Sequence, residues 1–304
     1  MARLPEPQAQ GMGAHPGFQP DFLTIGFIGN GRAAAAVGRG LARAGHALVI
    51  ARRGEGATAL AEALHGRLVG RDEVLATADV TFLAVPDAVI PGLASDLATV
   101  AVPGEGRLVA HFAGSLGRAP LAPLASRGYR AAAIHPLQVL SGWRIAAGTG
   151  FALDADGETM AVVTRLVEDL GGVPLEVPAA SRAAYHAAAV MAANLGMTLL
   201  SEAVDLLERQ GIPRAEAQQG LGALVRGGLE ASMDRGLPAA LTGPVARGDV
   251  ATVAGHLEAL AGDPELRRAY AAGSLLTLRQ VARDGRPASA EAAAAMRRLL
   301  EGSM

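Results

Sequence analysis

The feature that most constrains this chain is Gly29-Asn30-Gly31-Arg32-Ala33-Ala34, a G-x-G-x-x-A turn set where a short apolar run, 23–28, gives way to a helical pattern at 32–44. Between a parallel strand and a helix each small residue has its own task. The first glycine permits the tight turn, the second lets backbone approach a pyrophosphate, and the alanine lets the helix pack closely on the sheet. The free N–H groups of the helix's first turn then face an anion. Six residues alone are a weak signal, but this turn joins a strand to a helix ahead of a second strand. It predicts a dinucleotide site with Gly29, Asn30, Gly31, Arg32 and Ala33 against the phosphates.

The rest of the first half repeats that unit. Apolar runs at 47–51, 80–85, 107–112 and 131–134, with weaker ones at 150–153 and 173–177, alternate with helical patterns at 57–64, 89–98 and 157–170. This is the signature of a parallel sheet covered by helices. Past Pro178 the pattern is helical only. The sequence therefore predicts an α/β protein, with a Rossmann-type parallel sheet domain over 21–179 followed by an all-α C-terminal domain over 180–304. Residues 1–20, which hold Pro5, Pro7, Gly11, Gly13, Pro16 and Pro20 and no apolar periodicity, read as a disordered tail. The stretch 183–201 carries no formal charge, which raises a transmembrane helix. Its many alanines, with His186, Asn194 and Gly196, make it only mildly apolar, and an acidic amphipathic segment follows. A helix buried against the other domain or a second subunit is the expectation.

Composition narrows the chemistry. Twenty-seven basic against 29 acidic residues give a net charge of −2, which supplies no field for nucleic acid or an anionic membrane, so the expected partner is a small molecule. All 27 basic residues are arginine. Without lysine there is no Walker lysine, no Schiff base and no lysine acid/base, and without cysteine there is no thiolate nucleophile or thiol redox chemistry. The N-terminus shows no signal-peptide pattern, and the expected location is the cytoplasm.

About 20 residues after the glycine turn an acid ordinarily holds the ribose 2′-hydroxyl, but this chain reads Ala51-Arg52-Arg53-Gly54. Two arginines suit a 2′-phosphate instead, and a charge-assisted hydrogen bond contributes roughly 1.5–3 kcal/mol. NADP(H) is thereby favoured over NAD(H), and a methyltransferase that grips ribose hydroxyls with an acid is disfavoured. Val85-Pro86 forms an apolar ridge beside the expected dinucleotide, with Asp87 as the N-cap of the next helix.

Three segments carry a resemblance: His135-Pro136-Leu137, Tyr185-His186-Ala187-Ala188-Ala189 with Asn194, and Leu241-Thr242-Gly243-Pro244-Val245-Ala246-Arg247-Gly248-Asp249. With the glycine turn, they resemble the Rossmann-like proteins that carry domain of unknown function 2520, in the 6-phosphogluconate dehydrogenase-like superfamily. The resemblance implies an NADP oxidoreductase that dimerises through its helical domain. Hydroxyacid dehydrogenases of that superfamily place a lysine four residues before an asparagine on the long helix, where this chain has Val190 before Asn194. Prephenate dehydrogenase, a relative in that superfamily, has a Gly-Ser pair and a His-Pro, which recur here as Gly114-Ser115 and His135-Pro136. That likeness implies that His135 engages the reacting hydroxyl and that Ser115 positions it.

The residues themselves point the same way. Ligands of open α/β sheets bind outside the carboxyl ends of the strands, which is where His111 and His135 fall. His111 reads mainly as a packed strand histidine and His135 as the stronger candidate. His186 and Asn194 fall on one face of a continuous α-helix and line one groove. Thr242 and Arg247 are candidates for a substrate carboxylate or phosphate, with Asp249 as a helix N-cap. No metal-ligand spacing occurs. The function expected is an NADP(H)-dependent oxidoreductase acting on a small polar carbonyl, imine or hydroxyl compound, as a homodimer. A non-catalytic NADP(H)-binding sensor or scaffold is the alternative.

Overall fold

The computed structural model describes residues 22–304, so the tail expected over 1–20 lies outside the described residues. Contacts divide the chain into two compact units, Met1–Ala193 and Asn194–Met304. The pattern of elements changes earlier, at 179/180. The helix that follows that change belongs to the first unit because Arg182 is buried there.

In the first unit, β1 (Thr24–Ile28), β2 (Ala47–Ala51), β3 (Arg67–Val69), β4 (Val80–Leu83), β5 (Leu108–His111), β6 (Arg130–Pro136), β7 (Gly150–Asp154) and β8 (Val173–Glu176) form one sheet in the order β3-β2-β1-β4-β5-β6-β7-β8. Six strands run parallel. Contrary to a uniformly parallel sheet, β7 is antiparallel to β6 and β8 follows β7. The connection 137–149 has no crossover helix, and a return without a crossover pairs strands antiparallel. The order reverses between β1 and β4, the switch point at which open sheets of this kind leave a crevice.

The helices α1 (Arg32–Arg43), α2 (Glu55–Leu64) and α6 (Gly157–Asp169) cover one face, where Ile25, Phe27, Ile50, Val80 and Phe82 meet Val37, Leu41, Leu60 and Val163. On the other face α3 (Arg71–Thr77), α4 (Ile90–Val100) and α5 (Ala122–Ala125) cover Ile28, Val49, Leu83 and Val109. Alternate residues of each strand thus enter opposite cores. Gly26 is glycine because a Cβ there would lie 2.4 Å from Val74 Cγ1.

Two elements escaped the periodicity. β3 is only three residues long, half of its apolar content coming from Leu68, and α3 is too short to show a helical repeat. Asp87 is not an N-cap: Pro86 holds the cap position, and Asp87 lies one residue inside the 3₁₀ turn Asp87–Val89 with no capping hydrogen bond. Asp249 does cap its helix, accepting from the Thr252 N–H.

The long helical stretch is α7 (Arg182–Val190), a π-helical segment Met191–Leu195, and α8 (Gly196–Arg209). By length and composition Ala179–Arg209 is able to span a membrane, and little of its most apolar window is buried in the single chain. The second unit continues with α9 (Arg214–Arg235), α10 (Leu237–Ala240), α11 (Pro244–Arg247), α12 (Val250–Ala259), α13 (Pro264–Arg283) and α14 (Ala290–Glu301). Its core is Val245, Val253, Leu257, Ala271, Leu278, Met296 and Leu300. Arg214 at the start of α9 pairs with Asp205 and Glu208 of α8.

Candidate active site

The cleft at the switch point is built largely from backbone. Gly29 has φ +117°, and a Cβ on it would lie 2.2 Å from the Ala84 carbonyl oxygen at the end of β4, so only glycine fits. Gly31 differs: among the described residues only the Ala84 carbonyl oxygen, at 4.0 Å, approaches where its Cβ would be, an ordinary contact that does not demand glycine. The space it leaves open is the approach to α1, whose first turn has no side-chain cap and no acidic residue. Those orphan N–H groups form a ready anion site.

A cleft of about 830 Å³ opens at this point, lined by Gly29, Asn30, Gly31, Arg52, Arg53, Val85 and Pro86 of the residues expected. Arg32 and Ala33 form the first turn of α1 and do not line it. Arg71, at the start of α3, adds a third guanidinium to the lining. Sequence reasoning missed Arg71 because neither β3 nor α3 was legible. The signal that was available is Gly70-Arg71 directly after the Leu68-Val69 pair. These residues fit a dinucleotide: an uncapped helix start for the pyrophosphate and three exposed arginines for a further phosphate.

A second cluster lies beyond the carboxyl ends of β5 and β6. His135, at the end of β6, has its Nδ1 2.8 Å from the Tyr185 hydroxyl of α7, with the two rings edge-on. The His186 ring stands 5.8 Å from the His135 ring, centroid to centroid. Both histidines converge on Gly114. A Cβ there would lie 2.5 Å from His186 Nδ1 and 2.9 Å from His135 Nε2. Ser115, next in the chain, is exposed. The structure thus brings His135 and His186 together at Gly114, the chain neighbour of Ser115, and adds Tyr185. The His186 Nδ1 is buried with no hydrogen-bond partner among the described residues.

Beneath this cluster lies Arg182, the largest fully buried side chain described. Its guanidinium donates to the carbonyls of Val177, Ala113, Ala133 and Ala152, pinning α7 to the loop after β5 and to β6 and β7. Among the described residues no carboxylate pairs with it directly, so its charge acts on the surroundings. Burial first, then His186, then Arg182 push the His135 pKa down to about 4. The missed signal for Arg182 is a single charge opening an otherwise uncharged helix. His111 is structural, as expected: it is fully buried, Nδ1 accepts from the Ala113 N–H, and Nε2 donates to the Gly117 carbonyl.

Asn194, Thr242 and Arg247 belong to the second unit. Asn194 lies in the π-helical segment, whose i→i+5 bonding breaks the α-helical phase that set it on one face with His186. Thr242 precedes and Arg247 ends α11, a single turn between Gly243 at φ +99° and Gly248 at φ +76°, and both side chains are exposed. The Thr-Gly-Pro to Gly-Asp segment thus has a structural reason: two left-handed glycines and a cap. Among the described residues no cluster of acidic, histidine or cysteine side chains fit for a metal ion occurs.

Comparison with known proteins divides the chain elsewhere, within the sheet between β6 and β7. Residues 6–136 match the family model of the Rossmann-like domain, and residues 149–277 match the model named Domain of unknown function (DUF2520). No curated protein sequence matches the chain. Among solved structures, a Bacteroides fragilis protein provisionally named an NADP oxidoreductase is 22% identical with a TM-score of 0.66, over 84% of this chain and 98% of its own. The 1-pyrroline-5-carboxylate reductase of Streptococcus pyogenes is 17% identical with a TM-score of 0.57, over 93% and 99%. The pyrroline carboxylate reductase of Plasmodium falciparum, solved with NADP bound, is 12% identical with a TM-score of 0.59, over 91% and 98%. At these identities the likeness is one of fold. The chain thus carries a Rossmann-like domain followed by a region that matches domain of unknown function 2520.

Proposed function

We propose that this protein is an NADP(H)-dependent oxidoreductase acting on a small polar carbonyl, imine or hydroxyl compound. The observation that carries the reading is the switch-point cleft, where a glycine-turned, uncapped helix start and Arg52, Arg53 and Arg71 line one space. The fold relatives named above add support, since one holds NADP and two are named for the reduction of a cyclic imine acid.

A bound nicotinamide supplies hydride chemistry. The chain's own residues do the rest. The first turn of α1 binds the pyrophosphate, and the arginines bind a 2′-phosphate that a 2′-hydroxyl cofactor lacks. At the ends of β5 and β6, His135 meets the reacting oxygen or nitrogen of the substrate, with Ser115 beside it. Burial there strengthens each hydrogen bond by excluding water. Exposed apolar side chains on the second unit, including Leu199, Leu224, Leu229 and Met233, support a homodimer, and a cytoplasmic location completes the proposal.

The test is NADPH oxidation over a panel of keto acids and cyclic imines. Turnover of at least one substrate class, with NADPH preferred over NADH, supports the reading. Tight NADPH binding without turnover across the panel assigns the protein instead as a cofactor-binding sensor.

A further inference from the structure

We propose that Tyr185 is a positioning residue: its hydroxyl donates to His135 Nδ1 and so holds His135 as a neutral Nε2–H donor aimed at an acceptor atom of the substrate. The inference rests on the oxidoreductase reading of His135 and adds a direction, toward reduction of a carbonyl or imine.

Either partner of the 2.8 Å contact is able to donate, and the surroundings choose between them. Burial raises the Tyr185 pKa, so the phenol keeps its proton. Among the described residues that proton has one acceptor, His135 Nδ1. Were Nδ1–H to donate instead, the phenol O–H would have no protein acceptor, a costly arrangement for a half-buried group. A neutral imidazole carries one N–H and one lone pair. With the lone pair on Nδ1 taken, the proton sits on Nε2, the nitrogen with no described protein partner and the one that faces the notch at Gly114.

Burial first, and then the charged groups around the ring, keep it neutral. Arg182 and His186 face it from α7, and both disfavour a second positive charge. Asp154 of β7 lies across the sheet and accepts from the Arg118 N–H, and the neutral His111 of β5 has both nitrogens engaged. The same device fixes His111, whose Nδ1 also accepts and whose Nε2 also donates. In His111 the donor is spent inside the protein, whereas in His135 it is left for a ligand. A neutral N–H is an electrophile for a carbonyl oxygen or imine nitrogen, and its hydrogen bond strengthens as negative charge builds there. It has no lone pair with which to take a proton from a substrate hydroxyl.

The test reads the tautomer directly. Long-range ¹H–¹⁵N spectra of the full chain labelled with ¹⁵N-histidine at pH 7, with His135 assigned by its loss in His135→Gln, should show a protonated Nε2 and an unprotonated Nδ1. In Tyr185→Phe, which keeps the ring and removes only the hydroxyl, the Nδ1 resonance should shift and the tautomer mix. With a substrate in hand, Tyr185→Phe should lower kcat for reduction by about ten- to a hundredfold while the Kd for NADPH stays unchanged. A wild-type His135 protonated at Nδ1, or a Tyr185→Phe spectrum identical to wild type, overturns the proposal. If Tyr185→Phe does not fold, the wild-type spectrum alone decides. Absence of any NADPH oxidation by the wild type overturns the oxidoreductase reading and leaves the tautomer measurement standing, so the two failures are distinct.

Discussion

The two regions at the carboxyl edge of the sheet are built on different principles. The switch-point cleft is backbone and exposed charge: Gly29 pressed on Ala84, an uncapped helix, and arginines that meet solvent. The histidine cluster is half-buried and tied together by side chains, with a buried cation, a tyrosine–histidine hydrogen bond and, among the described residues, an unpartnered imidazole nitrogen. Binding a dinucleotide needs space and donors, which a local turn supplies. Tuning a proton needs low dielectric and fixed partners, which only tertiary packing supplies.

If the regions are separable in this way, substitutions at one should spare the other. The largest effect is expected for His135→Gln, which should lower kcat by roughly 10²–10³ with the NADPH affinity unchanged by calorimetry. A parallel loss of NADPH binding would break the comparison. In the reverse direction, Arg52→Ala with Arg53→Ala should cut the preference for NADPH over NADH by about ten- to a thousandfold. That change should leave the kcat for a saturated enzyme near wild type. Adding Arg71→Ala sharpens the point: a further loss in NADPH affinity assigns the third guanidinium to the same phosphate.

The contrast also explains what was legible in the sequence. The glycine turn, β1, α1 and Arg52-Arg53 are neighbours in the chain, so their geometry follows from local spacing. The partners of the histidine cluster are not. His135 and Tyr185 are 50 positions apart, and Arg182 reaches carbonyls on two strands and on the loop that follows a third. His135 and His186 were visible as residue types at strand end and helix, but nothing local says that they share Gly114 or that Tyr185 takes one nitrogen. The short β3 and α3 hid Arg71 for the opposite reason, since a three-residue strand carries too little pattern to detect. The π-helical segment at Met191–Leu195 is likewise invisible to a reading that assumes 3.6 residues per turn.

Gly114 offers a finer cut between the regions. Gly114→Ala would set a methyl 2.5 Å from His186 Nδ1 and 2.9 Å from His135 Nε2, and at least one ring must move. Overpacking of this kind costs about 1–3 kcal/mol. The expected result is a lower melting temperature, a changed His135 resonance and unchanged selectivity between NADPH and NADH. Altered cofactor selectivity would show that the two sites are mechanically coupled.

The smallest effect is a pH dependence of stability confined to the histidine cluster. Folding lowers the His135 pKa from 6.5 to about 4, chiefly through burial. The unfolded chain therefore takes up this proton first as the solution is acidified. Stability from the group is fully present above pH 6.5 and is lost as the pH falls through the window from 6.5 to 4. His111 is shifted in the same direction by its own burial, so the wild type alone does not isolate His135. Comparing wild type with His135→Gln removes that contribution, because His111 is common to both. Because the ring is only partly buried, its full linkage is discounted, and the extra loss between pH 7 and pH 5 is about 1 kcal/mol. Denaturant midpoints at the two pH values measure it. Equal losses in the two proteins would mean that His135 titrates alike folded and unfolded, and that the cluster is as open to water as the cofactor cleft.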